Sequence, residues 1–208
     1  MSMENIDWAE TKGTVLLQRL QDRLALEISR SRYCHSVGVM ETAILLVERY
    51  GGNRIKAAVA GLLHDFMREK SKSELLLLAE QYRVPVSALE KNEPVLLHGP
   101  VAACALAECY GIDDEEIRQA ISWHTTGCVG MSHLAGIIFV ADTIEPGRDF
   151  KGVDEMRRLA EKSLRETILF ILENQVAYII GTGKVPHEQS LAAIAFEKQR
   201  TANSTFKI

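Results

Sequence analysis

The fold is indicated most clearly by the stretch Ile55-Lys56-Ala57-Ala58-Val59-Ala60-Gly61-Leu62-Leu63-His64-Asp65-Phe66. Its apolar residues fall on every side of a helix, and a helix that lacks a polar face belongs in the centre of a bundle. The run closes on a histidine and an aspartate, which are costly to bury unless they are paired or bind an ion. The stretch therefore predicts a central helix that ends in a polar site.

Helical patterns continue on both sides of this stretch. Before it, apolar residues recur at helix spacing from Arg32 to Tyr50, and Gly51-Gly52 ends the pattern. After it, helices are predicted over 73–83, 101–110, 114–123 and 132–144, over 153–180 as one helix or two, and from about 187. A short helical turn is predicted from Ser87. No segment alternates convincingly as a strand does, so the sequence predicts an all-α fold, a helical bundle.

The composition predicts one compact domain. The chain has 208 residues, 47% of them hydrophobic and 25% charged, which is the balance of a globular protein with a sizeable core. We expect a single domain over 1–208, with a core at about 30–162 and C-terminal helices over 163–208. The apolar run at 168–172 either packs within the chain, the simpler account, or forms a homodimer interface.

Charge and hydropathy restrict the partners and the location. The net charge of −4 gives the chain no general attraction for nucleic acid or for an anionic membrane surface, so neither partner is expected. Apolar runs fall short of membrane-spanning length and no secretory signal is recognisable, which predicts a cytoplasmic protein. The four cysteines form no CxxC pair, and we expect buried or partly buried free thiols.

Four residues are candidate metal ligands. His64 and Asp65 end the central helix, where free carbonyls and a partial negative charge suit a cation. His35 lies early in the preceding helix. Asp142 directly follows the apolar residues 137–141 in a later predicted helix, where a carboxylate needs a counter-charge. Such a nitrogen and oxygen set suits iron, manganese, cobalt, nickel or zinc better than calcium. A metal of this kind lowers the pKa of water towards about 7 and makes hydroxide available. Each residue alone is equally compatible with ordinary packing.

The ordered set resembles a known family. The stretches that carry the resemblance are Tyr33-Cys34-His35-Ser36-Val37-Gly38-Val39, Leu62-Leu63-His64-Asp65-Phe66, Leu97-His98-Gly99-Pro100, Trp123-His124-Thr125-Thr126-Gly127, Val140-Ala141-Asp142, and Ala141-Asp142-Thr143-Ile144-Glu145-Pro146-Gly147-Arg148. They are similar to the HD-domain phosphohydrolase superfamily, and within it to the bacterial symmetrical diadenosine tetraphosphate hydrolases (the YqeK-type branch). The resemblance runs from about residue 32 to about residue 161.

The resemblance implies an HD-domain helical bundle that cleaves diadenosine tetraphosphate into two ADP. It implies a divalent metal, iron foremost, held by His35, His64, Asp65 and Asp142. Residues with an implied catalytic role are Asp65, His98, His124 and Arg148. Residues with an implied substrate contact are His35, Gly38, Asp65, His98, His124, Asp142, Thr143 and Arg148.

Three of these residues, His98, Arg148 and Gly38, also have a physical reason for their implied roles. His98 precedes the predicted helix start at Gly99-Pro100, where free N–H groups favour phosphate. Arg148 offers a planar fork that matches phosphate oxygens. Gly38 either lets a nucleotide approach the backbone or serves helix packing. His98 and His124 are also compatible with a second metal. His133 and His187 fall outside the pattern, and we expect them to be structural and solvated, respectively.

Two other functions stay open at this point. One is a different HD-type nucleotide phosphohydrolase, acting on nucleoside mono-, di- or triphosphates or on cyclic or alarmone nucleotides. The other is a non-catalytic nucleotide-binding regulatory module, although all four ligand positions are filled.

Overall fold

Helices make up the whole regular structure of the described chain. The structure, a computed structural model, describes the backbone of residues 10–205 and the side chains of residues 13–200, and it contains no strand there. The α-helices in this range are α1 (Glu10–Glu27), α2 (Arg30–Tyr50), α3 (Arg54–Leu63), α4 (Lys72–Gln81), α5 (Ala88–Asn92), α6 (His98–Tyr110), α7 (Glu115–Trp123), α8 (His133–Ile144), α9 (Val153–Ala160), α10 (Leu164–Gly181) and α11 (Glu188–Thr205). A short 3-10 helix (Pro94–Leu97) leads into α6. The all-α prediction is confirmed.

Helices α3 and α8 form the centre of the bundle. In α3 every residue from Ala57 to Leu63 is buried, as the apolar pattern predicts. In α8 every residue from Leu134 to Ile144 is buried except Asp142, whose side chain is 17% exposed. Helix α3 packs against α1, α2, α7 and α8, and α8 packs against α2, α7, α9 and α10. Polar residues at the ends of α3 and α8 are therefore surrounded by protein.

Two glycines allow the helices that carry the candidate ligands to approach closely. A Cβ atom on Gly61 would lie 2.9 Å from Cα of Met40, so only glycine lets α3 pack this tightly against α2. A Cβ atom on Gly99 would lie 2.9 Å from the carbonyl oxygens of Ile121 and Ser122 at the end of α7. Contacts below 3.0 Å are not tolerated by real side chains, so both crossings depend on the missing Cβ.

Most helix boundaries follow the predicted signals. Gly51 and Gly111 end α2 and α6, and Ser132 caps α8 through its hydroxyl. Ser71, rather than Ser73, caps α4 in a capping box with Glu74. The predicted segment 153–180 is two helices, because Ser163 caps a new helix whose N–H groups it satisfies.

The C-terminal helices pack on the core. Helix α10 contacts α8, α9 and α11, and its residues Ile168, Ile171 and Leu172 are buried within the chain. Burial of this apolar run inside one chain is the simpler of the two predicted accounts. No helix in the described range is both long and apolar enough to cross a membrane.

Candidate metal centre

The His64-Asp65 pair lies where α3 stops being helical. The helix ends at Leu63, His64 is its C-terminal cap, and tight turns follow through Glu69. Adjacent residues on a regular helix point about 100° apart. The change from helix to turns instead brings both side chains into one cluster, with His64 Nε2 3.5 Å from Asp65 Oδ2. Both residues are buried.

The four predicted metal ligands converge. Nε2 of His35 lies 3.2 Å from Nε2 of His64, 3.1 Å from Asp142 Oδ1 and 3.7 Å from Asp65 Oδ2. Nε2 of His64 lies 3.7 Å from Asp142 Oδ1. The donor atoms thus come from α2, the end of α3 and the last turn of α8. Sequence reasoning placed these residues together and the structure does the same.

His98 and His124 join this cluster through the second oxygen of Asp65. Asp65 Oδ1 lies 3.0 Å from His98 Nε2 and 3.4 Å from His124 Nε2, and the two Nε2 atoms are 2.9 Å apart. Thr125 Oγ1 lies 3.1 Å from Nε2 of His124 and 3.3 Å from that of His98. Asp65 therefore stands between two groups of ligand atoms, one at each of its oxygens.

The four histidines all present Nε2 to the cluster for one reason. Nδ1 of His64 and Nδ1 of His124 lie 2.7 Å from the carbonyl oxygens of the residues three positions earlier, and Nδ1 of His98 likewise bonds the Val95 carbonyl. Nδ1 of His35 lies 3.0 Å from Oε1 of Glu145. Carbonyl and carboxylate oxygens only accept, so each Nδ1 carries a hydrogen, and a ring that is neutral offers the lone pair of its Nε2 to the cluster.

These atoms fit a cation. Two lone pairs about 3 Å apart repel unless a proton or a metal lies between them. Nitrogen ligands about 2.0–2.1 Å from one metal lie about 2.9–3.4 Å apart for angles between a right angle and the tetrahedral angle, which matches both histidine pairs. Asp65 Oδ1 is buried and has no hydrogen-bond partner among the described residues. An orphaned carboxylate oxygen of this kind is explained by a metal ligand role.

The electrostatics keep the carboxylates ionised. Burial would raise the pKa of Asp65, but His64 and the neighbouring histidines outweigh burial and hold that pKa well below its usual range. Burial would also raise the pKa of Asp142, yet His35, His64 and Arg148 hold it low. Both side chains are thus anionic at neutral pH.

The pKa values of the two further histidines shift in opposite directions. Burial lowers the pKa of His98 below its ordinary value. Burial acts on His124 in the same direction, but the Asp65 carboxylate outweighs it and raises the pKa of His124. His124 is accordingly the easier of the two to protonate.

Two residues that sequence reasoning missed contact the ligands directly. Glu145 is buried, accepts from Nδ1 of His35, and its Oε2 accepts from the backbone N–H of Gly147 at 2.5 Å. Arg32 donates from Nη1 to Asp65 Oδ2 at 2.5 Å. Each lies three residues from a predicted ligand, Arg32 before His35 and Glu145 after Asp142. That spacing was the available signal, because positions three apart share a helix face.

A cavity of about 520 Å³ opens beside the cluster. His35, Arg32 and Arg148 line it, together with Cys34 and Gly38. Its volume falls in the range of about 300–1,000 Å³ that is usual for small-molecule sites. The remaining lining residues are Ser31, Val37, Glu41, Glu145, Pro146 and Gly147.

The structure brings some of the predicted substrate-contact residues to the cavity but not all of them. Arg148 lies at the site, where it bonds the backbone oxygen and the carboxylate of Asp142. Gly38 lines the cavity and has a packing reason as well, since a Cβ atom there would lie 2.7 Å from Oε2 of Glu145. Thr143 is buried and donates to the Phe139 carbonyl inside its own helix, so its placement does not support the predicted nucleotide contact.

Three other expectations need correction. His98 is the first residue of α6 rather than the residue before it, and its backbone N–H bonds the Val95 carbonyl because the 3-10 helix runs directly into α6. His187 is buried, with Nε2 3.5 Å from Glu90 Oε1, rather than solvated. Cys34 and Cys104 are exposed rather than buried, whereas Cys109 and Cys128 are half-buried as predicted. His133 bonds the Gly51 carbonyl, a structural role.

Comparisons with known proteins place this geometry in context. The family model described as HD domain matches residues 32–147. The symmetrical bis(5'-nucleosyl)-tetraphosphatase of Bacillus subtilis (strain 168) is 40% identical over 154 residues, which cover 74% of this chain and 82% of that protein. Its namesake from Staphylococcus aureus (strain NCTC 8325 / PS 47) is 42% identical over 161 residues, which cover 76% of this chain and 82% of that protein.

A solved structure is also similar. The crystal structure of a predicted HD superfamily hydrolase involved in NAD metabolism from Clostridium acetobutylicum matches with a TM-score of 0.85 and 34% sequence identity. The match covers 88% of this chain and 97% of that chain.

Proposed function

The chain belongs to the HD domain family, and from that premise we propose that it is a metal-dependent hydrolase that cleaves diadenosine tetraphosphate symmetrically into two ADP. The observation that carries the metal chemistry is the convergence of four Nε2 atoms on the carboxylates of Asp65 and Asp142. The substrate assignment is supported by relatives about 40% identical that carry this activity in their names.

We assign the divalent metal to His35, His64, Asp65 and Asp142. Neutral imidazoles and carboxylates suit a first-row transition metal, iron foremost, with manganese, cobalt, nickel or zinc as alternatives. His98 and His124 offer lone pairs beside Asp65 Oδ1, which suits a second cation. The alternative, contact with phosphate, requires a protonated ring, and His124 is the better candidate because its pKa is raised.

The chain's own residues bind and orient the substrate. Arg148 lines the cavity and presents a guanidinium fork to phosphate oxygens, which stabilises charge that develops as a phosphate departs. The metal, when bound, supplies an activated water and polarises a phosphoryl oxygen. Water adds to an inner phosphorus atom, the bond to the central bridging oxygen breaks, and two ADP result. We assign Asp65 the role of orienting the water rather than of deprotonating it, because a carboxylate with a low pKa is a poor base at neutral pH.

We also propose that the C-terminal helices belong to the same domain as the site. Ser190 of α11 donates to the Thr126 carbonyl at 2.7 Å, and Thr125 next to it contacts His98 and His124. Helix α11 thus fastens the turn that follows α7. This contact gives the C-terminal segment a positioning role beside the cluster.

Product analysis tests the function. We expect purified protein loaded with iron or manganese to convert diadenosine tetraphosphate to ADP as the sole product, and a His64→Ala variant to be inactive. His133→Ala is the matched control, since His133 bonds the Gly51 carbonyl away from the cluster and should leave activity intact. AMP together with ATP would overturn symmetrical cleavage. Hydrolysis of other nucleotides alone would indicate a different HD phosphohydrolase, and binding without turnover would indicate a regulatory module.

A further inference from the structure

Arg32 has donor capacity that the protein does not use. One of its amino groups, Nη1, bonds Asp65 Oδ2 at 2.5 Å, while its Nε is buried and has no hydrogen-bond partner among the described residues. The side chain keeps 25% of its surface exposed and lines the cavity beside the cluster. A guanidinium held through a single amino group still presents donors that match a phosphate.

Arg32 and Arg148 stand in equivalent relations to the cluster. Each donates to one of the two aspartates assigned to the metal, Arg32 to Asp65 and Arg148 to Asp142. Both line the same cavity as His35, whose Nε2 is 3.5 Å from an amino group of Arg148. The cavity is therefore entered by two guanidiniums from different elements, α2 and the turn after α8.

The charges of the site favour a change of partner at Arg32. Three carboxylates, those of Asp65, Asp142 and Glu145, lie close to the two guanidiniums, and these five groups sum to −1 when the histidines are neutral. Glu41, which also lines the cavity, adds one further negative charge outside this sum. A divalent cation changes that sum to +1. With a cation held there, the aspartates would need less neutralisation by the guanidiniums, and a guanidinium could then pair with an anion that carries negative charge on every phosphate.

We propose that Arg32 is a second phosphate-binding arginine in the cavity that Arg148 also lines, and that it exchanges Asp65 Oδ2 for a substrate phosphate oxygen. Two such groups suit a chain of four phosphates, because symmetrical cleavage requires that the segments on both sides of the central bridging oxygen be held. This inference rests on the proposed function for the identity of the substrate. The chemistry recognised is that of a diphosphate segment.

Variants of Arg32 test the proposal. Arg32→Met removes the donors, and Arg32→Lys keeps a charge able to pair with Asp65 but lacks the fork. Arg118→Met is the matched control, since Arg118 pairs with Asp113 and Glu115 and lines a separate cavity. The readouts are metal per chain, KM and kcat for diadenosine tetraphosphate, and alkylation of Cys34.

Cys34 reports on the cavity without turnover. It is exposed and lines the cavity beside Arg32, whereas the exposed Cys104 lines the separate one and serves as an internal control. In the metal-loaded wild type we expect ADP to slow alkylation of Cys34 by iodoacetamide and not that of Cys104, as measured by mass spectrometry.

The expected results separate phosphate binding from a purely structural role. Arg32→Met and Arg32→Lys should raise KM about 10- to 100-fold, the loss of a charge-assisted hydrogen bond, and should abolish protection of Cys34 by ADP with metal content unchanged. Wild-type KM and protection in both variants would overturn the proposal. Lower metal content with unchanged KM, or full rescue by lysine, would reduce Arg32 to a partner of Asp65. If Arg32→Met does not fold, Arg32→Lys carries the test.

Failure of the proposed function is distinguishable from failure of this inference. A wild type that hydrolyses no diadenosine tetraphosphate refutes the substrate assignment. Protection of Cys34 by ADP in the wild type, and its loss in the Arg32 variants, would still be measurable in that case.

Discussion

Replacing Glu145 by glutamine should weaken metal binding although it preserves the size of the side chain. The carboxylate accepts from two donors, Nδ1 of His35 at 3.0 Å and the N–H of Gly147 at 2.5 Å. Glutamine has one oxygen and one NH₂ group, so either orientation sets an NH₂ donor against another donor. The substitution therefore loses one charge-assisted hydrogen bond whichever way the amide turns.

The magnitude follows from that lost bond. A hydrogen bond to a charged group contributes about 1.5–3 kcal/mol, which corresponds to about 10- to 150-fold in an equilibrium constant. Carboxylates that bond a metal-binding histidine typically affect metal affinity by about 10- to 100-fold. We therefore expect Glu145→Gln to bind manganese or zinc about 10- to 100-fold more weakly, because the amide no longer bonds both His35 Nδ1 and the Gly147 N–H and so holds His35 less firmly.

Calorimetric titration of the metal-free protein measures this change. Gly38→Ala is an independent perturbation, since its Cβ atom would lie 2.7 Å from Oε2 of Glu145 and displace the carboxylate without changing charge. Glu173→Gln is the control, because Glu173 pairs with Lys198 on the surface. Wild-type metal affinity in both Glu145→Gln and Gly38→Ala would show that the Glu145 carboxylate does not support metal binding through His35.

Two further predictions concern stability. Gly61→Ala should lower the free energy of unfolding, measured in urea, by about 1–3 kcal/mol because its Cβ atom would meet the backbone of α2. Gly181→Ala, whose Cβ atom would meet no atom within 4 Å, should not lower it. Equal free energies of unfolding for the two variants would contradict the close approach of α3 to α2. The pKa of Asp142 is held below its usual range, so its stabilising contribution is present above about pH 4 and is lost as the pH falls through the folded-state pKa. In chelator, the difference in unfolding free energy between wild type and Asp142→Asn should therefore shrink from about pH 5 to about pH 2, and a constant difference would contradict this pKa.

The candidate site could be predicted from sequence because three of its residues, His64, Asp65 and Asp142, interrupt or end apolar runs. His64 and Asp65 close a helix that is buried on every side, and Asp142 is the one residue of α8 from Leu134 to Ile144 that is not buried. A polar group in such a position needs a partner, and the other predicted ligands are the available partners. Local signals of this kind do not depend on knowing which helices are neighbours.

The surrounding residues could not be predicted in this way. Glu145 and His35 are far apart in sequence, so their hydrogen bond arises only when the end of α8 meets α2. His187 reads as a solvated histidine until α11 places it against Glu90 of α5. Helix α1 was not predicted, although Leu17, Leu20 and Leu24 recur at helix spacing and the last two are buried. The break before α10 had a local signal in Ser163, which caps the new helix.

Metal-dependent symmetrical cleavage is best tested by titrating the metal-free protein with manganese or iron and following ADP formation from diadenosine tetraphosphate at each step. We predict that no product forms without metal, that ADP formation rises in proportion to bound metal and levels off when the site is filled, and that ADP is the sole product. ADP formation by metal-free protein, or AMP and ATP at any metal content, would contradict the account.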